Sequence, residues 1–258
     1  PGVILKTSPD IHIDPQPRAT IGEIYSLINN DIKKAQEYMK EAEFQCEKYV
    51  GRKPEITSAA IYFLAARIAL FQEDWDEVIA TAKEFLAKNS SIHDLNSEDE
   101  TLFGYVSSFE ENSFCANNQQ LDEVVFGFGR NDGGYDYLAP NSPVLMYYEY
   151  GFHTSWTEEN SLIKLYDEDD LRLQAYFQRR YNKSGSLRNP TYYAGQYQPN
   201  KYDNRSGTNY SSQAWRTPEL YLNLAEAYAQ KANGISNEAI DLLNQLRIKK
   251  YKSGSPNA

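Results

Sequence analysis

The sequence predicts a mainly α-helical chain of tetratricopeptide-like helix pairs with long aromatic-rich loops. Three observations point there. Apolar residues recur at helical spacing in several stretches, each opened by a residue able to cap a helix. Two of those stretches, 57–88 and 217–250, share one outline, two amphipathic helices around a short turn. Between them, residues 89–215 are dense in Gly, Asn, Ser and aromatics, and few segments keep a single period.

Residues 1–19 contain four prolines and little periodicity, which predicts an extended lead-in. Thr20 and Glu23 have the spacing of a capping box. Ile21, Ile24, Tyr25, Ile28, Ile32, Ala35 and Met39 follow at helical spacing and predict a long helix near 20–43. Gly51 to Pro54 is a break. Thr57 opens the next helix, with Ile61, Leu64, Ala65 and Ile68 on one face and small Ala66 and Ala69 beside them. Asp74 and Glu77 form a second box ahead of Trp75, Val78, Ile79, Ala82, Phe85 and Leu86.

In the later pair, Thr217 is the expected N-cap and Pro218 the first helical residue. Leu220, Tyr221, Leu224, Ala225 and Tyr228 make the buried stripe, with Glu219, Asn223, Glu226 and Gln230 opposite. Gly234 breaks the chain, and Ser236 caps a helix whose stripe is Ala239, Leu242, Leu243 and Leu246. Set against each other, the two pairs align Tyr62 with Tyr221, Ala66 with Ala225 and Ile79 roughly with Ala239. That is weak internal repetition, with small residues where helices cross closely. In the intervening stretch, Val124–Phe128 reads as a strand, 161–177 as partly helical and 182–212 as loop. No sheet beyond one small hairpin is expected. Gly127 and Gly129 make no phosphate loop, because no Gly-Lys-Ser/Thr follows.

Composition narrows the function. The chain has 258 residues and a net charge of −10, from 26 basic and 36 acidic residues. An acidic surface repels a phosphate backbone, so nucleic acid is not an expected partner. No run approaches the ~18 apolar residues of a membrane helix. Cys46 and Cys115 form neither a CxxC pair nor a disulfide framework. Residue 1 enters with Pro-Gly-Val-Ile-Leu, which reads as a piece taken from a longer chain. The unusual feature is 21 Tyr, against 11 Phe and 3 Trp. A tyrosine has an apolar ring and a polar tip and suits half-wet binding surfaces, although many of these will line helix seams.

Catalytic patterns are sparse. His12, His93 and His153 are scattered without ligand-like spacing, so no metal site is expected. Asp167-Glu-Asp-Asp170 lacks the glycine and spaced acids of a calcium loop and reads as a solvated acidic turn. Carboxylate pairs of the glycosidase kind meet in space and leave no local signature. The aromatic loops are the stronger signal. Sugar rings have apolar C–H faces that stack on flat aromatics, while Asn, Asp and Arg side chains serve the hydroxyls. Asn131, Asp132 and Tyr135 lie in one Gly-rich loop, Trp156 in a second, and Tyr192 and Tyr193 in a third. These six are the candidate glycan contacts. No cofactor is expected.

The chain resembles the SusD/RagB family of outer-membrane nutrient-binding lipoproteins. Pro17-Arg-Ala-Thr20 through Tyr25, with Asn30-Asp-Ile32 and Ala35, is similar to the family's first helical repeat. Thr57-Ser-Ala-Ala60, Leu64-Ala-Ala-Arg67 and Asp74-Trp75 resemble its next hairpin, and Leu165-Tyr166 with Asp170-Leu-Arg172 its "lY…D-x-R". The most specific likeness is Arg216-Thr-Pro-Glu-Leu-Tyr-Leu-Asn-Leu-Ala-Glu-Ala227 with Leu243-Asn244 and Arg247. The family's lipidated N-terminal cysteine and its C-terminal block have no counterpart, so the chain is expected to be a central fragment, one SusD-like domain over residues 1–258.

The resemblance implies an all-α scaffold with a loop-rich ligand face and no catalysis. It implies capture of an oligosaccharide or polysaccharide and transfer to a SusC-type TonB-dependent porin. The location implied is the outward face of the outer membrane, with a lipid anchor on the full-length protein. Two other readings are a helical-repeat adaptor for a protein partner and a glycoside hydrolase on a helical scaffold. Aromatic loops disfavour the adaptor, and the lack of a fixed acid pair disfavours the hydrolase. Arg216 and Glu219, at the start of a packed helix, read as structural residues rather than ligand contacts.

Overall fold

In the computed structural model the described residues are 2–7, 9, 17–40, 56–97, 123–128, 154–155, 162–179, 196–199 and 212–258. Their architecture is mainly helical. The helices are α1 (Ile21–Tyr38), α2 (Ser58–Phe71), α3 (Trp75–Lys88), the short α4 (Leu171–Tyr176), α5 (Thr217–Ala232) and α6 (Asn237–Ile248). The strands are β1 (Val124–Phe128), β2 (Thr154–Ser155), β3 (Phe177–Arg179), β4 (Gln196–Pro199) and β5 (Ser212–Arg216). Neighbours pack in the order α1, α2, α3, α5, α6, so the two predicted hairpins stand side by side in one array.

The lead-in meets the start of α1. The Ala19 N–H donates to the Val3 carbonyl at 2.9 Å, and Ile4 bridges Arg18. A Cβ on Gly2 would fall 1.4 Å from the Ala19 carbonyl oxygen, so only glycine allows this approach. The Thr20 capping box forms both ways: the Glu23 N–H donates to the Thr20 hydroxyl at 3.2 Å, and the Thr20 N–H to the Glu23 carboxylate at 2.7 Å. The helix is shorter than expected, since Met39 and Lys40 already form a turn. Its apolar stripe is only half-buried, and α2 is its main neighbour among the described elements.

The second box forms by half. The Glu77 N–H donates to Asp74 at 3.2 Å, but the Glu77 carboxylate accepts from the Thr81 hydroxyl at 3.2 Å instead of reaching back. Both hairpin turns use a left-handed residue that is not glycine. Glu73 has φ 57° between α2 and α3, and Asn233 has φ 51° at the end of α5. The Gly234 N–H closes that second turn on the Ala229 carbonyl at 3.1 Å.

The core lies where α2, α3 and α5 meet β1. Ala59, Phe63, Ala66, Ala82, Phe85, Val125, Leu220 and Leu224 are its buried members. Ala66 is fully buried and Ala225 nearly so, as the repeat alignment requires of close helix crossings. On α5 the buried arc is wider than its apolar stripe and includes Thr217 and Asn223. Asn223 is thus no outward-facing residue: α5 is flanked by α3 and α6 and also touches α2.

Three further expectations change. Among the described residues there are two small sheets, not one hairpin: antiparallel β1–β5, and three-stranded β2–β4–β3. Residues 196–199, expected in loop, form the middle strand of the second sheet. Thr217 is not the N-cap. β5 runs straight into α5, Arg216 occupies the cap position without a side-chain cap bond, and Thr217 is already helical. Among the described residues, no helix is long and apolar enough to cross a membrane.

Candidate functional site

The candidate glycan contacts Trp156, Tyr135, Tyr192, Tyr193, Asn131 and Asp132 lie outside the described residues. What is described is the framework from which their segments leave. The chain departs from the helices along β1 and returns along β5, and Phe128 pairs with Ser212 at the far end of that ladder. Within the excursion, β2 pairs with β4 through Thr154↔Tyr197 and Ser155↔Gln196. β3 adds to the other side through Phe177↔Pro199, Gln178↔Gln198 and Arg179↔Tyr197. Trp156 follows Ser155 directly, and Tyr192 and Tyr193 precede Gln196 by four and three positions. Backbone pairing therefore joins the two segments that carry them.

The root of the excursion is built of charge and aromatic stacking. Glu123, just before β1, is fully buried and forms an ion pair with Arg216, the last residue of β5. Its second carboxylate oxygen accepts the His93 backbone N–H at 2.7 Å, and its carbonyl accepts the Thr217 N–H at 2.8 Å. Burial pushes the Arg216 guanidinium down to about 10, which leaves it charged at neutral pH. Beside it, the Trp215 ring stacks on Phe63 at 5.5 Å and 7°, and meets Phe126 at 4.9 Å. Arg67 lies over both Phe63 and Trp215, at 5.1 and 5.5 Å, and grips Glu219 with two hydrogen bonds of 2.7 and 2.6 Å. Glu219 is thus a cross-helix partner of α2 as well as a carboxylate near the positive end of α5. Arg216 and Glu219 are both tied into the scaffold.

A second polar cluster fastens the C-terminal segment. Asp94 binds Lys249 at 2.8 Å, and the Lys250 ammonium donates to the His93 carbonyl at 2.7 Å. Asn96 donates to the Tyr251 carbonyl at 2.9 Å and accepts the Ser253 N–H at 2.9 Å. Burial pulls Asp94 upward, but the bonds from Lys249 and Asn96 outweigh it and hold the carboxyl below its ordinary value. The acidic turn is not wholly solvated. Asp170 is buried and accepts a forked bond from Arg172, whose guanidinium lies 5.5 Å from the Tyr166 ring and 5.9 Å from that of Tyr251. That bond holds Arg172 more firmly charged than a free arginine. Among the described residues, no group of three His, Cys, Asp or Glu side chains could hold a metal ion.

Sequence reasoning missed Glu123 and the Arg67–Glu219 contact. For Arg67 a signal existed, an arginine closing the small-residue face of α2. For Glu123, one acid before a short strand, there was none.

Residues 131–250 match the model of the SusD family. No curated protein matches the chain. Solved structures do. A SusD-like carbohydrate binding protein from Bacteroides vulgatus aligns with a TM-score of 0.65 at 17% identity, over 100% of this chain and 50% of its own. A SusD superfamily protein from Bacteroides thetaiotaomicron gives 0.63 at 18%, over 100% and 53%. Surface glycan-binding protein A from Bacteroides uniformis gives 0.54 at 17%, over 94% and 53%. The chain spans about half the length of these structures, and at such identity the likeness speaks for the fold. Residues 131–250 thus carry the pattern of the SusD family, and the fold of the chain is similar to that of SusD-like proteins.

Proposed function

We propose that this protein is a non-catalytic glycan-binding component of an outer-membrane uptake system. It holds an oligosaccharide on its aromatic loops and passes it to a SusC-like TonB-dependent porin. The full-length protein sits on the outward face of the outer membrane by a lipid anchor, and residues 1–258 act as one SusD-like domain. One observation carries this reading. The β2–β4 pairing joins the segment entering Trp156 to the segment leaving Tyr192 and Tyr193. That pairing supports assigning the rings of both segments to one ligand face. A sugar stacked there loses apolar surface to the rings, and Asn131, Asp132 and Tyr135 serve its hydroxyls from a third loop. Relatives described as carbohydrate-binding or glycan-binding support the substrate class.

Titration calorimetry of the full-length protein against polysaccharide fragments tests the reading. Truncating a single aromatic anchor commonly costs ~2 kcal/mol or more. Trp156→Ala, and the pair Tyr192→Ala with Tyr193→Ala, should therefore each weaken binding at least tenfold with the fold intact. Undiminished affinity in both, for a ligand the parent binds, would remove these loops from the site. Co-purification of the tagged protein with a SusC-like porin from outer membranes tests the transfer partner, and recovery without any porin would count against it.

A further inference from the structure

The β1–β5 ladder is short and its pairing shifts twice. Val124 pairs with Arg216, Phe126 with Trp215, Gly127 with Gln213 and Phe128 with Ser212. Val125 is therefore an extra residue on one strand and Ala214 an extra residue on the other, so two bulges of opposite sense offset each other. Slipping such a ladder by one residue costs few backbone bonds, so its register rests on side chains, among them Val125 in the core and Trp215 packed against it. The excursion 129–211 leaves and rejoins the helices through it, while residues 169–171 are bonded midway to 250–252, so the ladder's register sets where the two ends of the excursion leave the helices.

The ends of the ladder nearest the helices hold a charged pair that resists slippage alongside the packing of Val125 and Trp215. Glu123 precedes β1 and Arg216 ends β5, and both side chains are buried, 0% and 12% exposed. A slip of one residue moves a strand by about 3.3 Å and would strand an unpaired charge in the core. The Glu123 carboxylate is itself fixed by the His93 N–H, and its carbonyl by the Thr217 N–H at the start of α5. The pair is thus anchored to the helix array from both sides.

We propose that Glu123 and Arg216 are positioning residues: their buried ion pair sets the register of the β1–β5 ladder, and through it the alignment of the ligand loops. Neither touches the ligand. The ladder part stands on geometry alone, whereas the effect on affinity rests on the glycan-binding reading.

Exchanging a buried ion pair for apolar groups of similar size is often neutral for stability, while removing one partner is strongly destabilising. A pair kept only for stability and a pair kept for register therefore separate in the double variant. In the full chain, Arg216→Met alone should lower the unfolding midpoint, and Glu123→Gln, which keeps an acceptor for the His93 N–H, with Arg216→Met should recover most of it. Amide exchange in peptides covering 124–128 and 212–216 should nevertheless stay at least tenfold faster than in the parent. Oligosaccharide affinity should stay at least tenfold weaker. Parent-like exchange in a recovered double variant would overturn the proposal. Should the double variant not fold, native-state exchange of the parent decides instead. The β1 and Thr217 amides should then be as protected as the core of α5, and exchange a thousandfold faster would overturn it. A parent that binds no oligosaccharide in the panel overturns the glycan reading, and the exchange arm alone then judges the register.

Discussion

Replacing Ala66 by leucine tests the packing of the helix array most directly. Ala66 has no exposed surface and belongs to the same buried cluster as Phe63, Phe85, Val125 and Leu220. Leucine adds three carbon atoms there. If a void awaited them, burial would stabilise the protein by roughly 0.8 kcal/mol per methylene. In a filled seam the added atoms force side chains off their rotamers and helices apart, a net cost of ~1–3 kcal/mol. For a chain of this size, 1 kcal/mol shifts the unfolding midpoint by about 2–4 °C. Ala66→Leu should therefore lower the midpoint by several degrees in calorimetry, with an unchanged urea m-value. Ala225→Leu should lower it less, because Ala225 retains 5% exposure and the seam can open there. A midpoint that stays or rises for Ala66→Leu would refute the close crossing of α2 with its neighbours.

Three other outcomes follow from named contacts. In a double-mutant cycle read by urea unfolding, Arg67 and Glu219 should couple by about 0.5–1 kcal/mol, the upper range for a partly exposed forked pair. Arg67→Met should cost more than Glu219→Gln, since it also uncovers the Phe63 and Trp215 rings; equal costs would leave the stacking without weight. Asp94 is held below its ordinary value of 3.8, so its contribution is full above that value and is lost as pH falls through the lowered one. The midpoint difference between the parent and Asp94→Asn should be present at pH 7 and shrink toward pH 3, and a constant difference would refute the charge argument. Glu73→Gly should raise stability by a few tenths to about 1 kcal/mol, because a side chain at φ 57° is strained and glycine is not; a lower midpoint would refute it.

The helix pairs were legible because their signals are local. Thr57 and Ser236 each cap the helix they precede, and the stripe of α3 faces the core as its spacing requires, whereas on α2 the core side is Ala59, Phe63 and Ala66 and the expected Leu64 and Ile68 are only half-buried. The sheets were not legible, because strands of two to five residues are made by distant partners rather than by their own pattern. Thr217 misled for a related reason: a threonine before proline looks like a cap only if the preceding chain is a loop, and here it is β5. Asn223 misled because polarity predicts exposure on a helix with one packed side, and α5 has neighbours on two. Of the site, the aromatic loops were visible as composition, but the pairing that joins two of them follows from β4, which no periodicity marked.

The bond between Arg67 and Glu219 crosses 152 positions of sequence. α2 and α3 meet through a link of three residues, 72–74, but the α3–α5 seam forms only when the whole of 89–216 is closed into a loop. Closure entropy grows with the logarithm of loop length, so this seam costs about 3 kcal/mol more to close than the local turn. The hairpins are therefore expected to form early and the seam late, which makes its closure the slow step of folding. The same logarithm frees the excursion to change. Doubling its length would add only about 0.6 kcal/mol, less than one overpacked alanine. A chain arranged this way can exchange the loops of that excursion wholesale while the helices beneath fold as before.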